Sequence, residues 1–230
     1  DADKALGLEA FVEQARQFAI KDYALALLQG SRLAQSDYQA VRKQLARFTG
    51  LSESYLDRVN LRVSASRYTK ELLRDQDLTI GRLDSRYTGK DYDSGGDSTD
   101  NDPSGYGIDG AYTAAIHQYL YEDLGVKLSR PFNVLSTDVN RGWNWNISGK
   151  QMHYVNVAPY LGQAQRENND LRIFVGNGYF DFATPFFATE NTFADNGIDN
   201  SRVTMHYYKA GHMMYVEPVS LAQLVQNLSH

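Results

Sequence analysis

Apolar residues fall at helical spacing through the first third of the chain. Leu8, Phe11, Val12, Ala15, Phe18, Ala19, Tyr23, Ala26 and Leu27 recur at steps of three and four, the period of one buried helix face. Gln14, Arg16, Gln17, Lys21 and Asp22 fall between them, on the solvent side. Gly30 marks a stop. Ser36 is expected to cap a second helix whose stripe is Tyr38, Val41, Leu45 and Phe48, closed by Gly50. Ser52 is expected to cap a short third helix through Tyr55, Leu56 and Val59, and a fourth covers Ser66 to Arg74.

The grammar then changes twice. Residues 91–107, D-Y-D-S-G-G-D-S-T-D-N-D-P-S-G-Y-G, hold five Asp and four Gly. Such a stretch offers nothing to pack and reads as a mobile surface loop. Tyr112, Ala115, Ile116, Tyr119 and Leu120 make another helical stripe. From about residue 150, helices at Asn156–Asn168, Pro185–Asn196 and Leu221–Leu228 alternate with strands at Leu171–Val175 and Val203–Tyr208. That alternation suggests a parallel sheet, although two strands do not make a stable one alone.

Composition narrows the chemistry. With no cysteine among 230 residues, thiolate nucleophiles, disulfides and zinc–thiolate sites are excluded. The net charge of −5, with Lys and Arg scattered, argues against a nucleic-acid partner. No run of about 18 apolar residues occurs, so no membrane-spanning helix is expected. The opening D-A-D-K carries no charged-then-apolar leader.

Two loops stand out, each following a strand. G-N-G-Y-F-D-F-A-T-P, residues 176–185, places Asp181 after the first; K-A-G-H-M-M-Y, residues 209–215, places His212 after the second. Functional groups of open α/β sheets gather at the carboxyl ends of strands. If the two strands are parallel, Asp181 and His212 emerge at one edge, where a carboxylate fixes an imidazole's tautomer and stabilises its protonated form. The plainer reading is a turn-solvating Asp and a packed or exposed His.

V-G-N-G-Y-F-D-F-A-T-P-F-F-A-T-E and Y-Y-K-A-G-H-M-M-Y resemble the Asp and His motifs of the serine carboxypeptidase family, in its bacterial branch. T-G-L-S at 49–52, I-G-R-L-D-S-R-Y-T-G at 80–89, D-P-S and G-A-Y-T-A-A within 102–115, and W-N-W at 143–145 extend the resemblance over most of the chain. The resemblance implies the C-terminal part of an α/β-hydrolase sheet preceded by a mainly helical cap: residues 1–150 as cap with the acidic loop at 91–107, and 151–230 as the last strands and helices of the core. It also implies removal of C-terminal residues from peptides through an acyl-enzyme, with Asp181 orienting, His212 as general base, and no cofactor. Met213 and Met214 are expected one in packing and one at the substrate. A periplasmic or secreted location is what the resemblance favours.

The order of such triads is nucleophile, acid, base, with the serine in G-x-S-x-G. Here Glu53-Ser54-Tyr55 reproduces a central tripeptide, but Ser52 and Leu56 stand where glycines are needed. Ser54 is therefore read as a helix-surface serine, and the nucleophile is expected from a segment ahead of these residues. The chain alone is expected to be inactive. Acyl transfer to an alcohol is a close variant. A non-catalytic helical binding module on a relic scaffold is the rival. An exposed strand edge suggests a dimer.

The remaining candidates are weaker. Asp91, Asp93, Asp97, Asp100 and Asp102 lack the bidentate Glu of a calcium loop. His153 and His206 have no carboxylate at ligand spacing, so no metal is expected. Trp143, Trp145, Tyr106 and Tyr112 suit either an aromatic wall over the site or cap core.

Overall fold

The computed structural model describes residues 2–127, 129–130, 132–146 and 155–229. The elements in order are α1 (Ala2–Leu6), α2 (Leu8–Phe18), α3 (Ala24–Gln29), α4 (Gln35–Thr49), α5 (Glu53–Arg58), α6 (Ala65–Glu71), β1 (Thr79–Ile80), β2 (Thr88–Gly89), α7 (Asp109–Gln118), α8 (Thr137–Gly142), α9 (Ala158–Glu167), β3 (Ile173–Gly178), α10 (Phe186–Ala194), β4 (Val203–Tyr208) and α11 (Pro218–Leu228). They form two compact units. One comprises Asp1–Ile80 and Thr88–Asn101, the other Gly81–Tyr87 and Asp102–His230. The division expected near residue 150 falls at residues 147–154, outside the described residues.

The first unit is helical because its apolar stripes are. α2 and α3 join through a π-helical turn at Ala19–Tyr23, and Gly30, at φ 57°, ends the run. α4 starts one residue before Ser36, with Ala34 at its N-cap position and no side-chain cap. Gly50 closes it in the left-handed region, its N–H bonded to the Ala46 carbonyl. Ser52 caps α5 by accepting from the Tyr55 amide at 3.2 Å. Phe18, Val41, Leu45, Leu51, Tyr55, Leu56 and Leu61 make the core.

The acidic loop is tied down rather than mobile. Lys70 of α6 is sealed, its side chain and that of Asp91 each 1% exposed. Its ammonium donates to Asp91 Oδ2 and to the Asp93 carbonyl, both at 2.5 Å. Arg74 donates to the Ser94 and Gly96 carbonyls, and Asp97 pairs with Arg67 at 3.1 Å. Three cations from α6 and the turn after it supply the organisation that the loop's own composition lacks.

The second unit holds the parallel pair β3–β4, in register from Ile173↔Val203 to Gly178↔Tyr208, with α10 as the crossover. α11 begins on Glu217, whose carboxylate accepts from the Val219 and Ser220 amides, with Pro218 in the first turn. This architecture corrects the expected fold class. Of the described residues 55% are helical, and the strands among them form two sheets of two strands each. No extended α/β-hydrolase sheet is present among the described residues. The reason lies in the sequence: after residue 150 only two runs carry strand chemistry, and elsewhere the apolar positions keep helical period. The antiparallel pair β1–β2 was not expected.

Candidate functional site

Because β3 and β4 are parallel and end level, at Gly178 and Tyr208, the segments that follow leave the same edge together. Their continued pairing is dense. The Tyr179 amide donates to the Tyr208 carbonyl at 3.0 Å and the Phe180 amide to the Ala210 carbonyl at 3.1 Å. Glycine permits this. A Cβ on Gly178 would lie 2.3 Å from the Gly211 carbonyl oxygen, and one on Gly211 would lie 2.4 Å from that of Leu83. No side chain larger than hydrogen fits either place without the backbone moving.

Asp181 and His212 meet at this edge, with Nδ1 of His212 2.9 Å from Oδ2 of Asp181. The carboxylate is nearly sealed, its side chain 5% exposed, while the imidazole is 40% exposed. Burial pushes the Asp181 carboxyl up, but hydrogen bonds from the Thr184 hydroxyl, the Thr184 amide and His212 outweigh it, and the net shift is downward. Oδ1 accepts from the Ala183 and Thr184 amides at 2.6 and 3.0 Å, and Oδ2 from the Thr184 hydroxyl at 2.6 Å. The single carboxylate therefore both closes its own turn and orients the imidazole.

The tautomer follows from donor arithmetic. Thr184 has one hydroxyl proton, and its 2.6 Å bond to Asp181 takes it. The 3.2 Å contact between Thr184 Oγ1 and His212 Nδ1 then needs the imidazole nitrogen as donor. Nδ1 carries the proton, shared between Asp181 and Thr184, and Nε2 presents its lone pair. Among the described residues nothing bonds to Nε2. The arrangement can accept a proton at Nε2 while Asp181 stabilises the resulting charge.

A third segment holds both loops. Residues 82–85 run alongside them: the Phe182 amide donates to the Arg82 carbonyl at 2.9 Å, the His212 amide to the Leu83 carbonyl at 2.7 Å, and the Ser85 amide to the Phe180 carbonyl at 2.9 Å. Arg86 donates to both oxygens of Asp84 and to the Lys209 carbonyl, and its guanidinium lies 4.7 Å over the Phe180 ring.

Met213 lines a cleft of about 510 Å³ with Leu83, Ile108, Tyr112 and Leu135. Met214 lies elsewhere, its sulfur 3.2 Å from where a Cβ on Gly176 would stand. Tyr106, Trp143 and Trp145 are exposed, the two indoles 6.3 Å apart. His206 stacks on Phe174 at 5.0 Å between ring centroids. His153 is outside the described residues. Among the described residues no three His, Cys, Asp or Glu side chains form a group that could hold a metal, and no helix is long and apolar enough to cross a membrane.

Sequence reading singled out neither Thr184 nor Leu83, and it placed Asp102 in the acidic loop and in the D-P-S motif without giving it a role at the site. The spacing Asp-x-x-Thr in D-F-A-T is a signal for the first, since it is the spacing of a self-capping turn. Leu83 acts through its carbonyl, which no side-chain pattern announces. No protein-family model, curated protein or solved structure matches this chain.

Proposed function

We propose that Asp181 and His212 are the acid–base pair of a serine-type acyl-transfer site that hydrolyses peptide C-termini, as the resemblance to serine carboxypeptidases implies. One observation carries the reading: the buried, ionised carboxylate holds Nδ1 of His212 at 2.9 Å, which leaves Nε2 as the basic face. A non-catalytic scaffold gives no reason for this orientation. In the reaction, Nε2 takes the proton of a serine hydroxyl as its oxygen attacks the acyl carbon. It then returns the proton to the departing amine. In the second half it takes a proton from water as the water oxygen attacks the ester carbon. It gives that proton to the serine oxygen as that bond breaks and the shortened acid leaves, with Asp181 ionised throughout. The serine is contributed from outside these 230 residues. Ser54 belongs to α5 in the first unit, where its hydroxyl lies 3.2 Å from that of Ser52.

The test is fluorophosphonate labelling read by intact mass and peptide mapping, on this chain and on the complete natural gene product that contains it. The expected result is no adduct on the chain. In the complete product the adduct falls on a serine outside these residues and is lost in His212→Ala. An adduct on Ser54 or another serine of this chain, or labelling indifferent to His212, overturns the proposal.

A further inference from the structure

The rail formed by residues 82–85 raises the question of what holds the rail itself. Two of its consecutive amides, those of Arg82 and Leu83, point at a single carboxylate. Asp102 Oδ1 accepts from the Arg82 amide at 3.0 Å and Oδ2 from the Leu83 amide at 2.9 Å. The same carboxylate is fixed from its other side by the Ser104 amide at 3.0 Å and by the Ser104 hydroxyl. Ser104 is buried, as are its neighbours Pro103 and Gly105, so the anchor is set in a packed turn and not in a loose loop.

The connection from Asp102 to the dyad is short. The Leu83 N–H and the Arg82 carbonyl belong to one peptide group. Asp102 pulls on its N–H end, and its C=O end accepts from the Phe182 amide, next to Asp181. A carboxylate on the N–H end polarises the peptide and strengthens its carbonyl as an acceptor. The following carbonyl, that of Leu83, takes the backbone amide of His212 itself. There is also no slack: a Cβ on Gly211 would lie 2.5 Å from Asp84 Cβ, and one on Gly81 would lie 2.3 Å from the Asp84 carbonyl oxygen. A rail packed this closely cannot shift without moving the residue beside it.

We infer that Asp102 is a positioning residue for the Asp181–His212 pair, acting through the peptide groups of residues 82–83. It touches neither dyad side chain. This deepens the proposed function and rests on it, but it concerns geometry that exists whether or not a nucleophile is supplied. Asp102 sets the separation of the two loops by holding the backbone that both of them bond to. Replacing it by Asn retains one oxygen but turns an N–H₂ toward an amide N–H, so two donors face each other.

The test reads the His212 imidazole by nitrogen-15 NMR of the whole chain, with Asp102→Asn beside wild type, Asp181→Asn and Asp97→Asn. In wild type, His212 is expected to show a proton on Nδ1 and a bare Nε2, a pattern that Asp181→Asn abolishes. Asp102→Asn is expected to lose that pattern too, moving His212 toward the mixture of a solvated histidine, which favours the proton on Nε2. Asp97→Asn removes the same charge from the acidic loop and is expected to change nothing at His212. A merely structural aspartate would lower the melting temperature and leave the tautomer where it was. A folded Asp102→Asn with the wild-type pattern overturns the inference. If Asp102→Asn does not fold, Ser104→Ala decides. It removes one anchor of the same carboxylate, and an unchanged His212 there overturns the inference, while a displaced one supports it. If wild type itself shows no Nδ1–H that Asp181→Asn removes, the dyad reading fails, and that outcome is separate from a failure of Asp102.

Discussion

Thr184 gives the sharpest measurement on the site. Its hydroxyl donates to Asp181 Oδ2 at 2.6 Å, and Thr184→Val removes that donor while keeping the branched shape. A hydrogen bond to a charged group contributes about 1.5–3 kcal/mol. Thr184 is exposed, so water can partly replace the hydroxyl, and the low end, about 1.5 kcal/mol, is the expected loss at pH 7. The pH dependence identifies the cause. The folded-state pKa of Asp181 lies below its ordinary value: burial raises it, but the Thr184 bonds and His212 lower it more. A depressed folded pKa contributes stability that is present above the unfolded value, about 3.9, and is lost as pH falls through the folded one. Removing the hydroxyl moves the folded pKa back toward ordinary and shrinks this contribution. The difference between wild type and Thr184→Val should hold steady from pH 7 to about pH 4 and then close on further acidification. Urea titrations followed by tryptophan fluorescence report the relevant unit, because Trp143 and Trp145, the only two in the chain, both lie in it. Thr184→Ser, which keeps the hydroxyl, should recover most of the loss. A difference that never closes as the pH is lowered would mean that packing and not the carboxylate carries the effect, and the account of the site would fail.

Three further outcomes follow from other parts of the chain. Gly178→Ala places a Cβ 2.3 Å from the Gly211 carbonyl oxygen. It should cost about 1–3 kcal/mol or more in the second unit, and a neutral result by the same fluorescence titration would contradict the close approach of the two loops. Lys70→Ala leaves Asp91 sealed without its cation and should cost about 3–5 kcal/mol by far-ultraviolet circular dichroism. Lys70→Met with Asp91→Leu together should cost much less, because it is the unpaired charge that destabilises. Ser52→Ala removes the cap of α5 and should cost about 1 kcal/mol, whereas Ser54→Ala, at an exposed position, should stay within about 0.5 kcal/mol.

What the sequence disclosed follows the range of the forces involved. The stripes of α2 and α4, the glycine stops at Gly30 and Gly50, the Ser52 cap and the whole of β4 were legible because periodicity and capping act over a few residues. Ser36 misled because a serine at a helix start is one of several ways to begin it, and α4 starts instead from Ala34 without a side-chain cap. The loop at 91–107 read as mobile because the cations that fix it, Lys70 and Arg74, lie about twenty residues earlier. The error in fold class has a different source. It carried the last part of a larger sheet over from a resemblance whose specific motifs cover only two strands and their loops, and those two strands are what the second unit contains. Asp181 and His212 were named from those same loops; Thr184 sits in the same motif as Asp181 but was not read as its donor.

The chemistry such a pair supplies is bounded by what surrounds it. General-base catalysis by a positioned imidazole contributes about 10²–10⁴ in rate, and the rest of an acyl-transfer enzyme's acceleration comes from the nucleophile, the oxyanion donors and exclusion of water. Here the carboxylate is sealed and its proton-holding partners are in place, while the imidazole remains 40% exposed. On the proposed reading, the sealed carboxylate is the fixed half of the pair, and the part-exposed imidazole is the half that a serine and substrate would meet. That asymmetry costs something to maintain. Asp181 pays a desolvation penalty that four hydrogen-bond donors among the described residues and the charge attraction of His212 offset, a cost a turn-forming aspartate at the surface would avoid. A buried carboxylate that holds one nitrogen of a part-exposed imidazole, and leaves the other without a partner among the described residues, is the arrangement that the proposed proton transfer uses.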